Sequence, residues 1–422
     1  MQNKNLEEVF LQLQNAGAQV FFTGGCVRDK LLQRTRKDLD VVVFGINEQT
    51  LKRELDRFGQ VLTYGKCFPV HQIRGMAVEF SMPRYKESLQ KRSLEECIEA
   101  DAQGRDFTIN ALYRHVVTGE LIDPLNGMKD LKECRIKMSS KDVFLIDPLR
   151  IYRAIQLISR LGFHLEPETK RKMTETDTSL IPLERVFEEW NKWLLADAPQ
   201  SGWQAMMETN AIPSIFPKQS NDIDIGGVPL NMLIKDILTY ASRIRKRSAD
   251  PLQLMWGTLL APLVMTCGGK ETTGREFKDF TAVIDWFRTI SRHHRRTDSL
   301  EGLLRGTKSF LNLTHRREDV IRLSLMTDAE ELNLLLEALA PWWKSTGQLN
   351  MIKRQQRNLK RWHPKHRIRP LITGSDLSRL DYIPGPRMGI WLEMAFQMQL
   401  EGVTASDILN FFEKNKQFLS KM

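Results

Sequence analysis

The stretch Phe21–Gly45, FFTGGCVRDKLLQRTRKDLDVVVFG, constrains this chain more than any other. An apolar run from Ala18 to Phe22 reads as a short strand, and Gly24-Gly25 breaks it. Val27 to Leu32 has helical spacing, and Asp38-Leu39-Asp40 opens a second apolar run, Val41 to Phe44. Alternate residues of a strand project from one face, so Asp38 and Asp40 point the same way at the start of a buried strand. Neighbouring carboxylates repel unless a cation neutralises them. Hard divalent cations such as Mg²⁺ take carboxylate oxygens together with substrate phosphates. The paired glycines make the complementary offer. Without Cβ atoms they let backbone N–H groups approach an anion, and the helix that follows presents its positive end. Arg28 lies on the first turn of that helix, where its fork suits a phosphate. A phosphate seat beside a carboxylate pair predicts phosphoryl or nucleotidyl transfer. Taken alone, a Gly-Gly pair is a turn and an Asp-x-Asp a solvated strand end; their order and spacing carry the reading.

Around this stretch the periodicity predicts a helix over 4–16, with Leu6, Val9, Phe10 and Leu13 on one face. A helix over about 48–58 follows, then strands at 60–64, 70–74 and 77–81. Glu79 falls in the last of these, where the plain reading is an edge-strand acid facing water. Tyr85 to Gly104 is polar and charged without a clear strand. Arg105 to Leu112 reads as a helix start, with Asp106 as its N-cap and Asn110 one turn on. Asp147-Pro148 places an acid at N-cap and proline at N1 of a helix running to about Arg160, with Arg150 and Arg153 on one face. Residues 179–195 are amphipathic, and 218–229 reads as a linker or exposed turn. Helices are then predicted over 229–246, 252–265, 276–290, 298–312, 316–325 and 328–340.

The motifs resemble those of class II tRNA nucleotidyltransferases and bacterial poly(A) polymerases. GGCVRDKLLQRTRKDLDVVV resembles the first motif of that family, GG-x-V-R-D followed by D-x-D. Arg105 to Leu112 resembles its RRDFTINA segment, and Asp123-Pro124 through Gly127 to Leu131 its DP…G…DL turn. Asp147 to Ala154 resembles its EDxxRxxRA helix, Leu161-Gly162-Phe163 with Pro167-Glu168-Thr169 follows, and Glu184 to Glu189 resembles the last motif. The resemblance is dense over the first half of the chain. It implies an α+β fold: a polymerase-β-like nucleotidyltransferase head with a small mixed sheet (1–138), then an all-α neck (139–217), body (218–345) and tail (346–422).

It also implies roles. Asp38 and Asp40 bind two Mg²⁺, with Glu79 as a third acid on the neighbouring strand. Gly24, Gly25, Arg28, Arg105 and Arg153 face the triphosphate, while Asp106 and Asn110 reach the ribose. Asp147 and Arg150 read the base edge of CTP or ATP in place of a template, a carboxylate accepting from an amine and a guanidinium donating to a ring acceptor. The partner is the 3′ end of tRNA. This sequence departs from the pattern at Gly104, where the family has a first Arg, and at Ile146, where it has a Glu thought to brace the neighbouring Arg. The 85–104 segment is short for the loop that relatives use in changing from C to A addition. Full CCA addition, CC-only or A-only addition, and poly(A) tailing share the motifs. A non-catalytic RNA-binding relative is disfavoured by the carboxylates that remain.

Composition agrees with a nucleic-acid partner. The 422 residues carry a formal net charge of +10. Basic clusters at His293–Arg296, with Arg295 and Arg296, and at Lys353–Arg369, with Lys360, Arg361, Lys365 and Arg367 around Trp362, suit RNA phosphate; the plain alternative is a solvated helix face. Five scattered cysteines with no CxxC pair predict a reduced, cytoplasmic chain without a zinc framework. The stretch DPLQLMWGTLLAPLVM stands where some relatives carry an HD-type phosphohydrolase domain, but it contains no His-Asp pair, so no hydrolase site is predicted. The first residues form an amphipathic helix rather than a signal peptide, and no apolar run approaches a membrane span.

Overall fold

The computed structural model describes residues 2–35, 39–65, 69–84, 93–179, 181–212, 216, 223–266, 280–311, 323, 327–362 and 370–419. The chain divides into two units, Met1–Pro213 and Ser214–Met422.

The first unit opens with α1 (Gln2–Asn15), β1 (Gln19–Thr23), α2 (Gly25–Leu31), β2 (Leu39–Phe44) and α3 (Glu48–Asp56). Strands β3 (Val61–Tyr64), β4 (Val70–Ile73) and β5 (Val78–Ser81), helix α4 (Leu94–Gly104), and strands β6 (Tyr113–His115) and β7 (Leu121–Ile122) complete its head. The strands form a sheet in the order β3-β4-β5-β2-β1-β6-β7. The β2–β5 pair is parallel and its neighbours are antiparallel, so the sheet is mixed as expected.

Side-chain alternation along β2 gives the sheet two buried faces. Val41 and Val43 join Val9, Leu13, Leu51 and Leu55 beneath α1 and α3. Val42 and Phe44 join Cys97, Ile98 and Ala102 of α4 on the other side. Asp40 shares the second face with Val42, so the strand delivers its carboxylate beside α4.

The remainder of this unit is mostly helical: α5 (Gly127–Lys132), α6 (Val143–Ile146), α7 (Arg150–Leu161), α8 (Pro167–Glu175), α9 (Leu183–Leu194) and α10 (Pro199–Glu208), with a two-stranded pair β8 (Arg135–Ile136) and β9 (His164–Leu165). The tryptophans hold α9 to its neighbours. Trp190 meets Tyr152 edge-on at 5.6 Å, and Trp193 stacks on Trp203 at 6.5 Å. Gly202 lets α10 close on α7, because a Cβ there would collide with the Ser159 hydroxyl and the Trp193 ring.

Three expectations are corrected. The polar stretch before Arg105 contains α4, opened by a capping box in which Ser93 and Glu96 exchange hydrogen bonds. Arg105 to Leu112 is not a helix start: Phe107 is extended (φ −134°, ψ 152°) and pairs with Met138, followed by a single 3-10 turn, Thr108–Asn110. The Thr108 N–H donates to the Lys137 carbonyl at 2.9 Å, which pulls the backbone out of helical geometry. Asp147 is likewise extended at the end of α6, accepting from the Leu149 N–H, and the regular helix begins at Arg150.

In the second unit, helices Leu230–Ile244, Pro251–Thr266, Phe280–Ser291, His294–Leu311, Ala329–Ala338, Ala340–Ser345 and Leu349–Trp362 pack together, and the Pro251–Thr266 helix is buried without a break from Leu254 to Val264. The helix expected over 316–325 lies outside the described residues apart from Leu323. A separate core of Tyr382, Trp391, Ile408 and Phe412 joins helices Gly374–Arg379, Pro386–Leu400 and Ala405–Lys414. Among the described residues no helix is long and apolar enough to cross a membrane.

Candidate active site

Asp40 and Glu79 are register partners across the parallel pair β2–β5. Parallel partners present their side chains on the same face, about 4.8 Å apart along the hydrogen-bonding direction. Val41 opposite Phe80 fills the other face. The two carboxylates therefore stand side by side on the α4 face. Asp38 lies outside the described residues.

Both acids line a cleft of about 440 Å³, a size suited to a small ligand. Its lining holds six cations, Arg28, Arg84, Arg105, Arg153, Arg160 and Lys192, and four acids, Asp40, Glu79, Asp106 and Glu189. Gly24 and Gly25 form part of the wall. Gly24 has φ +67°, and a Cβ there would lie 3.2 Å from the Asp40 Oδ2, so the position combines left-handed backbone with close approach to the carboxylate. Cys26, beside it, is packed, its thiol donating to the Thr23 carbonyl.

The cationic side chains are held by buried partners. Asp101 is fully buried; its Oδ2 accepts from Arg105 Nε at 2.8 Å and from Tyr113 Oη at 2.6 Å. Burial opposes charge on Asp101, yet the Arg105 guanidinium and the Tyr113 hydroxyl hold its carboxyl below the usual range. Arg28 donates to Asp29 at 2.8 Å and to Asn110 Oδ1 at 2.5 Å. The Asn110 amide donates to Asp106 at 2.9 Å, and Arg153 donates to the other oxygen of Asp106 at 2.8 Å. Arg160, two turns along α7 from Arg153, returns to Asp29 at 2.5 Å. Six side chains thus form a ring, closed through the α7 backbone between Arg153 and Arg160, that joins α2, the 3-10 turn and α7. Asp106 is held well below the ordinary carboxylate range: burial pushes it up, and Arg153, Asn110 and Arg84 outweigh that.

The expected base-reading pair sits differently. Arg150 donates to the carbonyls of Arg105 and Gly104 at 3.0 and 2.8 Å, so backbone braces it where the resemblance supplies a Glu; Ile146 in that place is exposed. Asp147 pairs with Arg185 at 2.9 Å. Arg153 is in the cleft wall; Asp147 and Arg150 are outside it.

Sequence reasoning missed Arg84, Asp29, Asp101, Arg160 and Lys192. The capping box at Ser93 would have placed Asp101 on a helix one turn before Arg105. Nothing in the sequence links Asp29 to Arg160, 131 positions away. Among the expected RNA contacts, Arg295 is exposed and Arg296 half-buried near the start of the His294–Leu311 helix. Lys360 and Arg361 lie on the Leu349–Trp362 helix, and Lys365 and Arg367 fall outside the described residues.

Two carboxylates on adjacent strands are oxygen donors of the kind hard divalent cations take, and the surrounding arginines match a polyanion the metal would share. Asp40 and Glu79 fit such an ion. Among the described residues no three potential metal ligands cluster, so these two are the donors in view.

The poly(A) polymerase head domain matches residues 20–137, and the domain described as "Probable RNA and SrmB- binding site of polymerase A" matches 162–223. Poly(A) polymerase I of Escherichia coli O157:H7 is 30% identical over 255 residues, covering 56% of this chain and 55% of that protein. The multifunctional CCA protein of Pseudoalteromonas atlantica is 36% identical over 213 residues, covering 47% and 51%. The chain spans about half the length of the curated relatives it matches. The Bacillus stearothermophilus CCA-adding enzyme, solved with CTP, superposes with a TM-score of 0.65 at 18% identity over 99% of this chain and 98% of that one. The Thermotoga maritima CCA-adding enzyme, solved with tRNA, superposes with a TM-score of 0.58 at 21% identity over 96% and 94%. At that identity the likeness establishes the fold. Over its head and the adjoining RNA-binding segment, in the order in which the sequence motifs occur, the chain is thus similar to the tRNA nucleotidyltransferases and poly(A) polymerases.

Proposed function

We propose that this chain is a template-independent nucleotidyltransferase that adds C and A from CTP and ATP to the 3′ end of tRNA. The observation that carries the reading is the Asp40–Glu79 pair facing an arginine-lined cleft. In the reaction the primer 3′-oxygen bonds to the α-phosphorus as the bond from that phosphorus to the β-phosphate bridge breaks, and pyrophosphate leaves.

Asp40 and Glu79, with Asp38, would hold two Mg²⁺. When bound, the metal supplies Lewis-acid stabilisation of phosphoryl charge and lowers the pKa of the attacking hydroxyl. The chain's own part is positioning and electrostatics. Gly24 and Gly25 admit the triphosphate, while Arg28, Arg105 and Arg153 neutralise it. Asp106 and Asn110 orient the ribose, and Asp147 with Arg150 would read the base after rearranging from their present partners. A hollow of about 740 Å³, rimmed by Arg34, Arg160 and Lys192, shares the last two residues with the cleft and suits the phosphates of the primer. The cations at Arg295 and Arg296, and along Lys353–Arg369, would carry more of the RNA. The four-part division into head, neck, body and tail belongs to this reading, as does a cytoplasmic location.

A second reading, poly(A) tailing, is favoured by the longer match to poly(A) polymerase I. Extension of three tRNA transcripts, ending before the tail, after C and after CC, with CTP and ATP supplied separately, distinguishes them. Stepwise addition that stops at CCA supports the first reading; a long ATP-dependent ladder supports the second. Absence of any extension contradicts both.

A further inference from the structure

Arg84 is a cleft cation that no sequence motif assigned, and its position depends on the residue where this chain departs from its family. The Arg84 N–H donates to Asp101 Oδ1 at 2.6 Å, while the other oxygen of Asp101 holds the Arg105 guanidinium. One buried carboxylate therefore fixes the backbone of one arginine and the side chain of another. Gly104 stands directly against Arg84: a Cβ at 104 would lie 2.7 Å from the Arg84 carbonyl oxygen and 3.1 Å from its Cβ. The glycine is required here for space. A side chain at 104, such as the arginine the motif resemblance puts there, would drive the Arg84 segment away.

Arg84, Arg105 and Arg153 all line the cleft. Burial and the charge of Arg105 both act against the Arg84 cation. Such crowding of like charge is relieved when a polyanion enters between the groups.

We propose that Arg84 is a polyphosphate-binding residue of this cleft, placed by Asp101 and by the absence of a side chain at Gly104, so that it replaces the cation the chain lacks at 104. The proposal rests on the nucleotidyl-transfer reading and names a contact that reading does not contain.

The test is calorimetric titration of the full chain with CTP and with CMP, for the wild type, Arg84→Ala, Arg84→Lys and Gly104→Ala. Thermal melting and tRNA retention on filters report folding. Arg84→Ala weakens CTP binding by roughly tenfold or more, the scale of a charge-assisted phosphate contact. CMP binding changes far less, since the lost contact is to the outer phosphates. Arg84→Lys recovers part of the loss. Gly104→Ala, which removes no charge, reproduces the selective loss of CTP. Wild-type CTP affinity in both Arg84→Ala and Gly104→Ala overturns the proposal and leaves the nucleotidyl-transfer reading standing. Equal loss of CTP and CMP also overturns it, since that marks general disruption. A wild-type chain that binds no triphosphate overturns both.

Discussion

Arg153 grips Asp106 through two nitrogens, Nε at 2.8 Å and Nη2 at 2.7 Å. The other oxygen of Asp106 accepts from the Phe107 N–H and the Asn110 amide, each at 2.9 Å. A carboxylate has about four acceptor sites, so this one is saturated. A ribose hydroxyl that donates to Asp106 must displace one of these donors, and Arg153, whose side chain is 44% exposed, is the donor free to swing toward solvent or phosphate. On the proposed function, sugar binding at Asp106 would therefore release Arg153 for phosphate, coupling the two through one arginine. Asp106→Ala is expected to reduce the preference for CTP over dCTP by about tenfold, the scale of one hydrogen bond to a charged group. Incorporation of the two nucleotides by the variant and the wild type measures it.

The same carboxylate predicts a pH dependence of stability. Its pKa in the folded chain lies below the unfolded value of about 3.9. A depressed acid contributes stability that is present above the unfolded pKa and lost as pH falls through the folded one. The contribution is about 1–2 kcal/mol once the exposure of Arg153 is allowed for. Denaturant unfolding between pH 7 and pH 3 should show wild-type stability falling below about pH 4. Asp106→Asn should be less stable at pH 7 and flatter across that acid range.

Asp29 is fully buried between Arg28 and Arg160. Removing one member of a buried ionic cluster leaves uncompensated charge, at a cost of about 3 kcal/mol or more. Asp29→Ala should therefore lower the midpoint of urea unfolding without changing its slope. Arg28, released from its brace, should also bind triphosphate less well. Wild-type stability in that variant would mean the ring is not what joins α2 to α7.

The Asp147–Arg185 pair is exposed, and pairs of that kind contribute about 0–1 kcal/mol. Arg185→Ala should leave melting nearly unchanged. If Asp147 reads the base, releasing it shifts the ratio of CTP to ATP incorporation severalfold. An unchanged ratio would leave Asp147 as the acceptor for the Leu149 N–H and nothing more.

Local signals made much of the head legible. The unbroken apolar run from Val41 to Phe44 makes β2 legible as a strand buried on both faces, and the strands at 70–73 and 78–81 are legible as short runs beside it. The 3-10 turn after Arg105 is not legible locally, because the backbone leading into it is held extended by Lys137 and Met138, partners some thirty residues on that leave no mark on local propensity. Helix α4 carries its capping box, the Ser93–Glu96 spacing, inside a stretch whose charge density is that of a loop. Cleft-lining residues such as Arg28, Arg105 and Arg153 were legible because they stand in motifs, although Asp29, in the first motif, was not. Arg84 and Arg160 were not, because each gains its role only from a buried acid, Asp101 or Asp29, contributed by a different element.

On the proposed function, Asp40 serves the chemistry rather than the binding of RNA. Single-turnover extension of a tRNA transcript ending in CC, with ATP and Mg²⁺, tests it most directly in Asp40→Ala, with filter retention of the same RNA run alongside. Extension is expected to fall by roughly three orders of magnitude or more, the scale on which preorganised electrostatic groups act, with RNA retention unchanged. Extension near the wild-type rate would contradict it.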